Sequence, residues 1–245
     1  MTDLSDRITA LSERLGPHPA RTLRLDLGAP EDVARWFVAA CLLAGRGAEA
    51  RALEAFRELE RSGGARIDRI SEGDAARICA ALQRASYAQA EAVAGRLVRA
   101  AVELTKTHGS SLEALAADAD DLEELGAKLA RLASGLGGAT ISRFLRPLRG
   151  HWPGAREAPL TAPARAAALH LGLLREGEDL EGEPGALRAA LGELDLPLDF
   201  ADLEAALERL GARACLRNRP ERCPLAEACP ARSPAATPDE SGVEP

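Results

Sequence analysis

Three cysteines crowd one segment near the C-terminus, Cys215-Leu-Arg-Asn-Arg-Pro-Glu-Arg-Cys223-Pro-Leu-Ala-Glu-Ala-Cys229-Pro. Soft thiolates packed into fifteen residues, beside arginines that lower thiol pKa values, suit iron–sulfur or zinc chemistry. A second chemical segment is Ser134-Gly135-Leu136-Gly137-Gly138. Glycines at that density let the backbone turn tightly and approach another molecule closely. The helix that follows offers unpaired N–H groups and the positive end of its dipole to an anion such as phosphate. An ordinary antiparallel helix hairpin with a glycine-rich cap has the same signature. From Arg131 to Arg175 seven arginines face one acid, Glu157, within a chain of net charge −7. That segregation is the pattern of one basic face on an acidic body, or of a solvated helix surface with chance clustering.

These segments need helices to position them. Leu4, Ile8, Leu11 and Leu15 recur at helical spacing and predict an N-terminal amphipathic helix that stops at Gly16-Pro17. Pro30, then Val33, Trp36, Phe37, Ala40, Cys41 and Ala44, mark a mostly buried helix broken at Gly45-Arg46-Gly47. Further helices are expected at about Ala48 to Arg61, Asp74 to Gln83 and Tyr87 to Leu104, and Ser110 with Glu113 has the form of a capping box. Leu122, Leu125, Leu129 and Leu132 face inward on one hairpin helix, Asp121 to Ala133. Ile141, Phe144, Leu145 and Leu148 do so on the next, Ala139 to Leu148. Three helices follow near Ala164 to Leu174, Pro184 to Leu194 and Phe200 to Leu210, and the tail from Ala231 reads as disordered. Hydrophobic residues make up 46% of the chain and are mostly Ala, Leu and Val, with aromatics at 3%. Alternating β-branched runs are nearly absent, so the fold class is all-α.

The hairpin Leu132-Ala133-Ser134-Gly135-Leu136-Gly137-Gly138-Ala139-Thr140 resembles the Leu-Pro-Gly-Val-Gly-Arg-Lys-Thr-Ala hairpin of the endonuclease III branch of the helix-hairpin-helix DNA glycosylases, with glycines matching at Gly135 and Gly137. Val33 to Gly45 resembles that family's buried early helix. Ser86-Tyr87-Ala88-Gln89-Ala90-Glu91-Ala92-Val93 is similar to its Tyr-x-x-Lys-Ala-x-x-Ile segment, and Cys223-Pro-Leu-Ala-Glu-Ala-Cys229 to the end of its four-cysteine iron–sulfur loop. The resemblance implies two helical domains flanking a DNA-holding cleft. One is a barrel over residues 23–150 with the helix-hairpin-helix at 121–148. The other combines residues 151–230 with the N-terminal helix of residues 1–22. It further implies a monomer that contacts DNA, mainly through phosphates, at Gly135, Gly137, Gly138, Ala139, Thr140, Arg143, Arg146 and Arg149. An iron–sulfur cluster of the 4Fe–4S type is implied at Cys215, Cys223 and Cys229.

The chain departs from the family where catalysis is carried. The lysine that forms a Schiff base in bifunctional members is matched by Ala139, and the chain holds only two lysines, Lys106 and Lys128. Lys128 is expected to be a solvated helix residue. The family's aspartate falls in Pro159-Leu160-Thr161-Ala162-Pro163-Ala164-Arg165, which has no carboxylate, leaving Glu157 as the catalytic candidate. A glutamine at the early helix end is replaced by Gly45 or Arg46. In the cysteine loop the second ligand position is Pro220, the first falls at Arg213, and Cys215 is displaced by two positions. Three readings of that loop stay open: a cluster with an outside or absent fourth ligand, a zinc site completed by a histidine (18, 108, 151 or 170), and free thiols. His151 and Trp152 fit either stacking on a base or packing of the loop.

The implied function is a DNA-binding protein related to base-excision repair, without AP-lyase activity. The alternatives are an active monofunctional glycosylase using Glu157 or an unaligned carboxylate, and a non-catalytic protein-interaction or regulatory module on the same fold, which the acidic charge favours. No apolar run is long enough to span a membrane, and Met1 to Arg14 mixes charges with apolar residues, so a cytoplasmic location is expected. Five cysteines, with Cys41 and Cys79 inside apolar helical patterns, do not form a secreted disulfide framework.

Overall fold

The structure, a computed structural model, describes residues 3–45, 47–175, 177, 182–194, 196–227 and 229. Among these every regular element is helical, so the chain is all-α. No helix among the described residues is long and apolar enough to cross a membrane. The contacts divide the chain into two compact units: Pro19–Pro159, and Met1–His18 together with Leu160–Pro245. The expected tail from Ala231 lies outside the described residues.

Helix α1 (Leu4–Leu15) belongs to the discontinuous unit. The continuous unit contains α2 (Pro19–Thr22), α3 (Pro30–Leu43), α4 (Glu49–Arg61), α5 (Ala75–Arg84), α6 (Ala90–His108), α7 (Leu112–Ala117), α8 (Leu122–Leu132) and α9 (Gly138–Leu145). Pro30 opens α3 at a position whose N–H would lack a helical partner in any case. Nine residues of α3, from Val33 to Leu42, are buried, and Trp36 Nε1 donates to the Phe144 carbonyl at 3.0 Å. Phe144 in turn meets Phe37 and Trp152 edge to face, at centroid distances of 5.2 and 5.4 Å, which ties α9 to the core.

Trp152 therefore packs the loop and is not a stacking platform: it is 7% exposed and shares this core with Ala155 and Ala158. The same three side chains draw residues 151–159 into the continuous unit, so the boundary falls after Pro159 and not after residue 150. The helix expected from Tyr87 begins at Ala90 instead. Ser86, at φ 54°, turns the chain out of α5, and Tyr87 sends its hydroxyl to the Leu42 carbonyl at 2.7 Å. That hydroxyl fills the space where a Cβ at Gly45 would stand, so the end of α3 has no room for a side chain there. The cap of α7 is Ser111, which accepts from Ala114 N at 3.0 Å, and not Ser110. Ser110 takes φ 69° to leave α6, and its Oγ pairs with Thr105 Oγ1 at 2.7 Å.

The discontinuous unit is built from α1, α10 (Ala162–Leu171), α11 (Glu183–Glu193) and α12 (Phe200–Arg213). Helix α10 is stopped by Gly172 at φ 78°, earlier than its apolar pattern suggests. Ile8 and Leu11 of α1 are fully buried in one cluster with Leu203, Leu207 and Leu210 of α12. Arg209 donates to the carbonyls of Leu15 and Gly16 at 3.0 and 2.9 Å, and His18 N donates to Asp202 at 2.7 Å. Helices α10 and α12 are in such close contact that a Cβ on Gly211 would collide with the Pro163 carbonyl.

Candidate functional site

The glycine turn is built by the two helices it joins. Asp121 caps α8, accepting from Glu124 N at 2.8 Å, and Leu125, Leu129 and Leu132 bury one face. Gly135 takes φ 89°, a conformation that favours glycine, and Leu136 turns inward at 4% exposure as the plug of the turn. Gly137, extended and without a side chain, caps α9 with its backbone only: Thr140 N and Ile141 N return to its carbonyl at 2.9 and 3.1 Å. Gly135, Gly137, Gly138 and Ala139 are exposed, while Thr140 is buried at 6%. The start of α9 is thus presented to solvent with no side-chain cap.

The arginines separate into two kinds. Arg143 is partly exposed on α9. Arg146 and Arg149, expected to reach phosphates, are instead buried at 6% and 5%. Pro147 cannot continue the helix, and the chain passes into a 3-10 turn over Arg146–Leu148, which breaks the exposed stripe. Arg149 Nε donates to the Ala158 carbonyl at 2.6 Å and Nη2 to the Pro159 carbonyl at 3.2 Å, while Arg146 Nε reaches the Ser142 carbonyl at 3.4 Å. These two arginines hold the protein's own backbone.

A residue that sequence reasoning missed stands beside the turn. A Cβ at Gly135 would lie 3.1 Å from Nε and 3.2 Å from Nη2 of Arg96, which projects from α6, and this buried Nε has no hydrogen-bond partner. Nothing in the sequence marks Arg96 among the arginines of an amphipathic helix. Its charge is also felt by Cys41, whose thiol is pushed up to about 12 by burial, with Arg96 opposing.

The catalytic candidates fare differently. Lys128 sits in surface ion pairs: its side chain is 15% exposed and its Nζ lies 2.8 Å from Asp118 and 3.1 Å from Glu124. The hydrogen bond it donates to Asp118 leads in raising its pKa, so the amine is held as an ammonium ion. Lys106 is exposed on α6. Glu157 is exposed in the turn that follows Pro153–Ala155. His151 lies over Gly28, its Cε1 being 3.6 Å from where a Cβ would stand, at the edge of a groove of about 480 Å³ that also includes Trp152 and Glu113.

In the discontinuous unit, α12 ends in a 3-10 turn at Cys215–Arg217, and Asn218 at φ 46° reverses the chain toward a second turn at Pro220–Arg222. Cys215, Cys223 and Cys229 then line one cavity of about 110 Å³ with Ala214, Asn218, Arg219, Pro220 and His170. Burial pushes the Cys215 thiol up to about 11, and the nearby Cys223 and Cys229 add to the shift. The Cys229 thiol lies 4.0 Å from the His170 carbonyl and donates to it. As placed, no three His, Cys, Asp or Glu side chains among the described residues stand close enough together to hold a metal ion. The four-cysteine set of the resemblance does not fit, because Pro220, at the second ligand position, lines the cavity without offering a donor. Among the described residues, three thiols and one histidine line the cavity as possible donors to a thiophilic metal.

Compared with models of known protein families and with curated proteins, the chain matches none.

Proposed function

We propose that this chain is a DNA-binding protein of endonuclease III-like build, related to base-excision repair, that holds phosphates at the turn between α8 and α9 and has no AP-lyase activity. The observation that carries the reading is the exposed start of α9, reached through a turn whose Gly135 lies against the guanidinium of Arg96, with a buried Nε that has no hydrogen-bond partner. Backbone N–H groups at a helix start, together with a guanidinium, are what a phosphate oxygen requires. Such contacts read the backbone and not the bases, so the binding is weakly dependent on sequence. The lyase step has no lysine at the turn, since Ala139 stands at the lysine position, Lys128 is ion-paired and Lys106 lies on α6. In the cysteine loop the three partly buried thiols around one cavity support a metal centre, iron–sulfur or zinc.

The test is fluorescence anisotropy of duplex and abasic DNA at two salt concentrations. Each phosphate contact contributes about −0.9 to the slope of log affinity against log salt. Arg96→Gln is expected to weaken binding on the order of tenfold, the worth of one charge-assisted contact, and to reduce the slope by about one contact. If the wild-type protein shows no affinity at low salt, the interaction-module reading replaces this one.

A further inference from the structure

The cavity in the discontinuous unit brings together residues that the sequence holds far apart, since His170 on α10 precedes Cys229 by 59 positions. Of the four histidines it is the one that lines the cavity with Cys215, Cys223 and Cys229. Resting on the reading of the cysteine loop as a metal site, we propose that His170 is the fourth ligand of a thiophilic metal centre whose other ligands are these three cysteines.

Donor chemistry supports the assignment. Three thiolates and an imidazole form a closed Cys3His set of the kind that holds structural zinc, and they are equally soft enough for an iron–sulfur cluster. Among the described residues no carboxylate lines the cavity, so calcium and magnesium, which require oxygen ligands, find no match there. Charge supports it too. Three thiolates around a doubly positive centre leave one net negative charge, and Arg219 lines the same cavity. A fourth thiolate would leave two, and a neutral imidazole avoids that. The donor that Pro220 cannot supply comes from a neighbouring helix. The thiols are only partly buried and the cavity gives them space, so closure on a metal needs side-chain rotation. It also replaces the bond from the Cys229 thiol to the His170 carbonyl.

The test uses the full chain, stripped of metal and reduced without oxygen, titrated with Co²⁺ and, separately, reconstituted with iron and sulfide. In the cobalt arm, one equivalent is expected to give ligand-field bands of a tetrahedral site with three sulfurs and one nitrogen. His170→Ala should weaken binding by at least roughly tenfold, because even residues that merely support a ligand cost that much, and should move the bands. His170→Cys should restore affinity and shift the bands to those of a four-sulfur site. If iron and sulfide give the stable product instead, His170→Ala should lose the cluster's absorbance faster in air and His170→Cys should recover it. Unchanged affinity and spectrum in His170→Ala, in whichever arm the wild type takes up metal, overturns His170 as a ligand while leaving the cysteine site standing. A wild-type chain that takes up neither cobalt nor a cluster overturns the cysteine site itself, and the proposal with it.

Discussion

Replacing Arg149 by Ala separates an arginine that holds the fold from one that meets DNA. Arg149 is 5% exposed, and its Nε donates to the carbonyl of Ala158, a residue 2% exposed, while Nη2 reaches the carbonyl of Pro159, which is exposed. Truncation leaves the first carbonyl desolvated and unpaired. A hydrogen bond from a charged donor to such a group is worth about 1.5–3 kcal/mol. The second carbonyl recovers water, so its loss costs about 1 kcal/mol or less. The expected destabilisation is roughly 2–4 kcal/mol, the two contributions taken together. Urea unfolding followed by tryptophan fluorescence reads it directly, since Trp152 is packed in the same core. Arg143→Ala, at a partly exposed position of α9, should lower DNA affinity. The reasoning is wrong if Arg149→Ala unfolds at the wild-type urea midpoint yet loses salt-dependent DNA binding, because Arg149 would then be a phosphate ligand.

Gly211→Ala drives a methyl group into the Pro163 carbonyl, and since the obstacle is backbone in a packed helix pair, a loss of about 3 kcal/mol or more is expected in thermal or urea unfolding. Asp118 and Glu124 have lowered pKa values, Asp118 mainly from its Lys128 hydrogen bond and Glu124 mainly from the Asp120 N–H and then Lys128. Their stabilisation is therefore complete above the ordinary carboxylate range near pH 4 and lost as pH falls through the depressed values. Lys128→Met should flatten that acid limb of the stability curve, and an unaltered limb would show the ion pairs are inert. Borohydride should trap no covalent complex with abasic DNA. An adduct that disappears in Lys128→Ala would mean the ion-paired ammonium is released during the reaction. Cys41, buried with its thiol pushed up to about 12, should stay unlabelled by iodoacetamide at neutral pH until the protein unfolds, which mass spectrometry of the labelled peptide decides.

Periodicity made the helices legible, because burial of a stripe is decided by spacing that the chain writes out in full: Leu4 to Leu15 and the hairpin leucines lie in helices within a residue or two of expectation. What escaped were effects decided at a distance. Whether Arg149 faces solvent depends on Pro147 ending α9 and on two carbonyls in the following loop. The space at the end of α3 is set by the hydroxyl of Tyr87, brought over from beyond α5. Arg96 and His170 carry no motif of their own. Their place at the glycine turn and at the cysteine cavity follows from which helices pack together, information that a linear pattern of apolar residues does not encode.

The division of one unit between the two ends of the chain sets an order of assembly during synthesis. Residues 19–159 are contiguous and can complete their core as soon as they leave the ribosome, whereas Ile8 and Leu11 must wait for α12, whose Asp202 lies 184 positions beyond His18. Closing so long a connection costs roughly 2–3 kcal/mol more in chain entropy than closing a ten-residue loop. In the nascent chain α1 is an amphipathic helix with its apolar stripe uncovered, open to protease and to chaperone binding. A chain truncated before Phe200 should therefore keep a protected middle and lose its N-terminal helix to limited digestion.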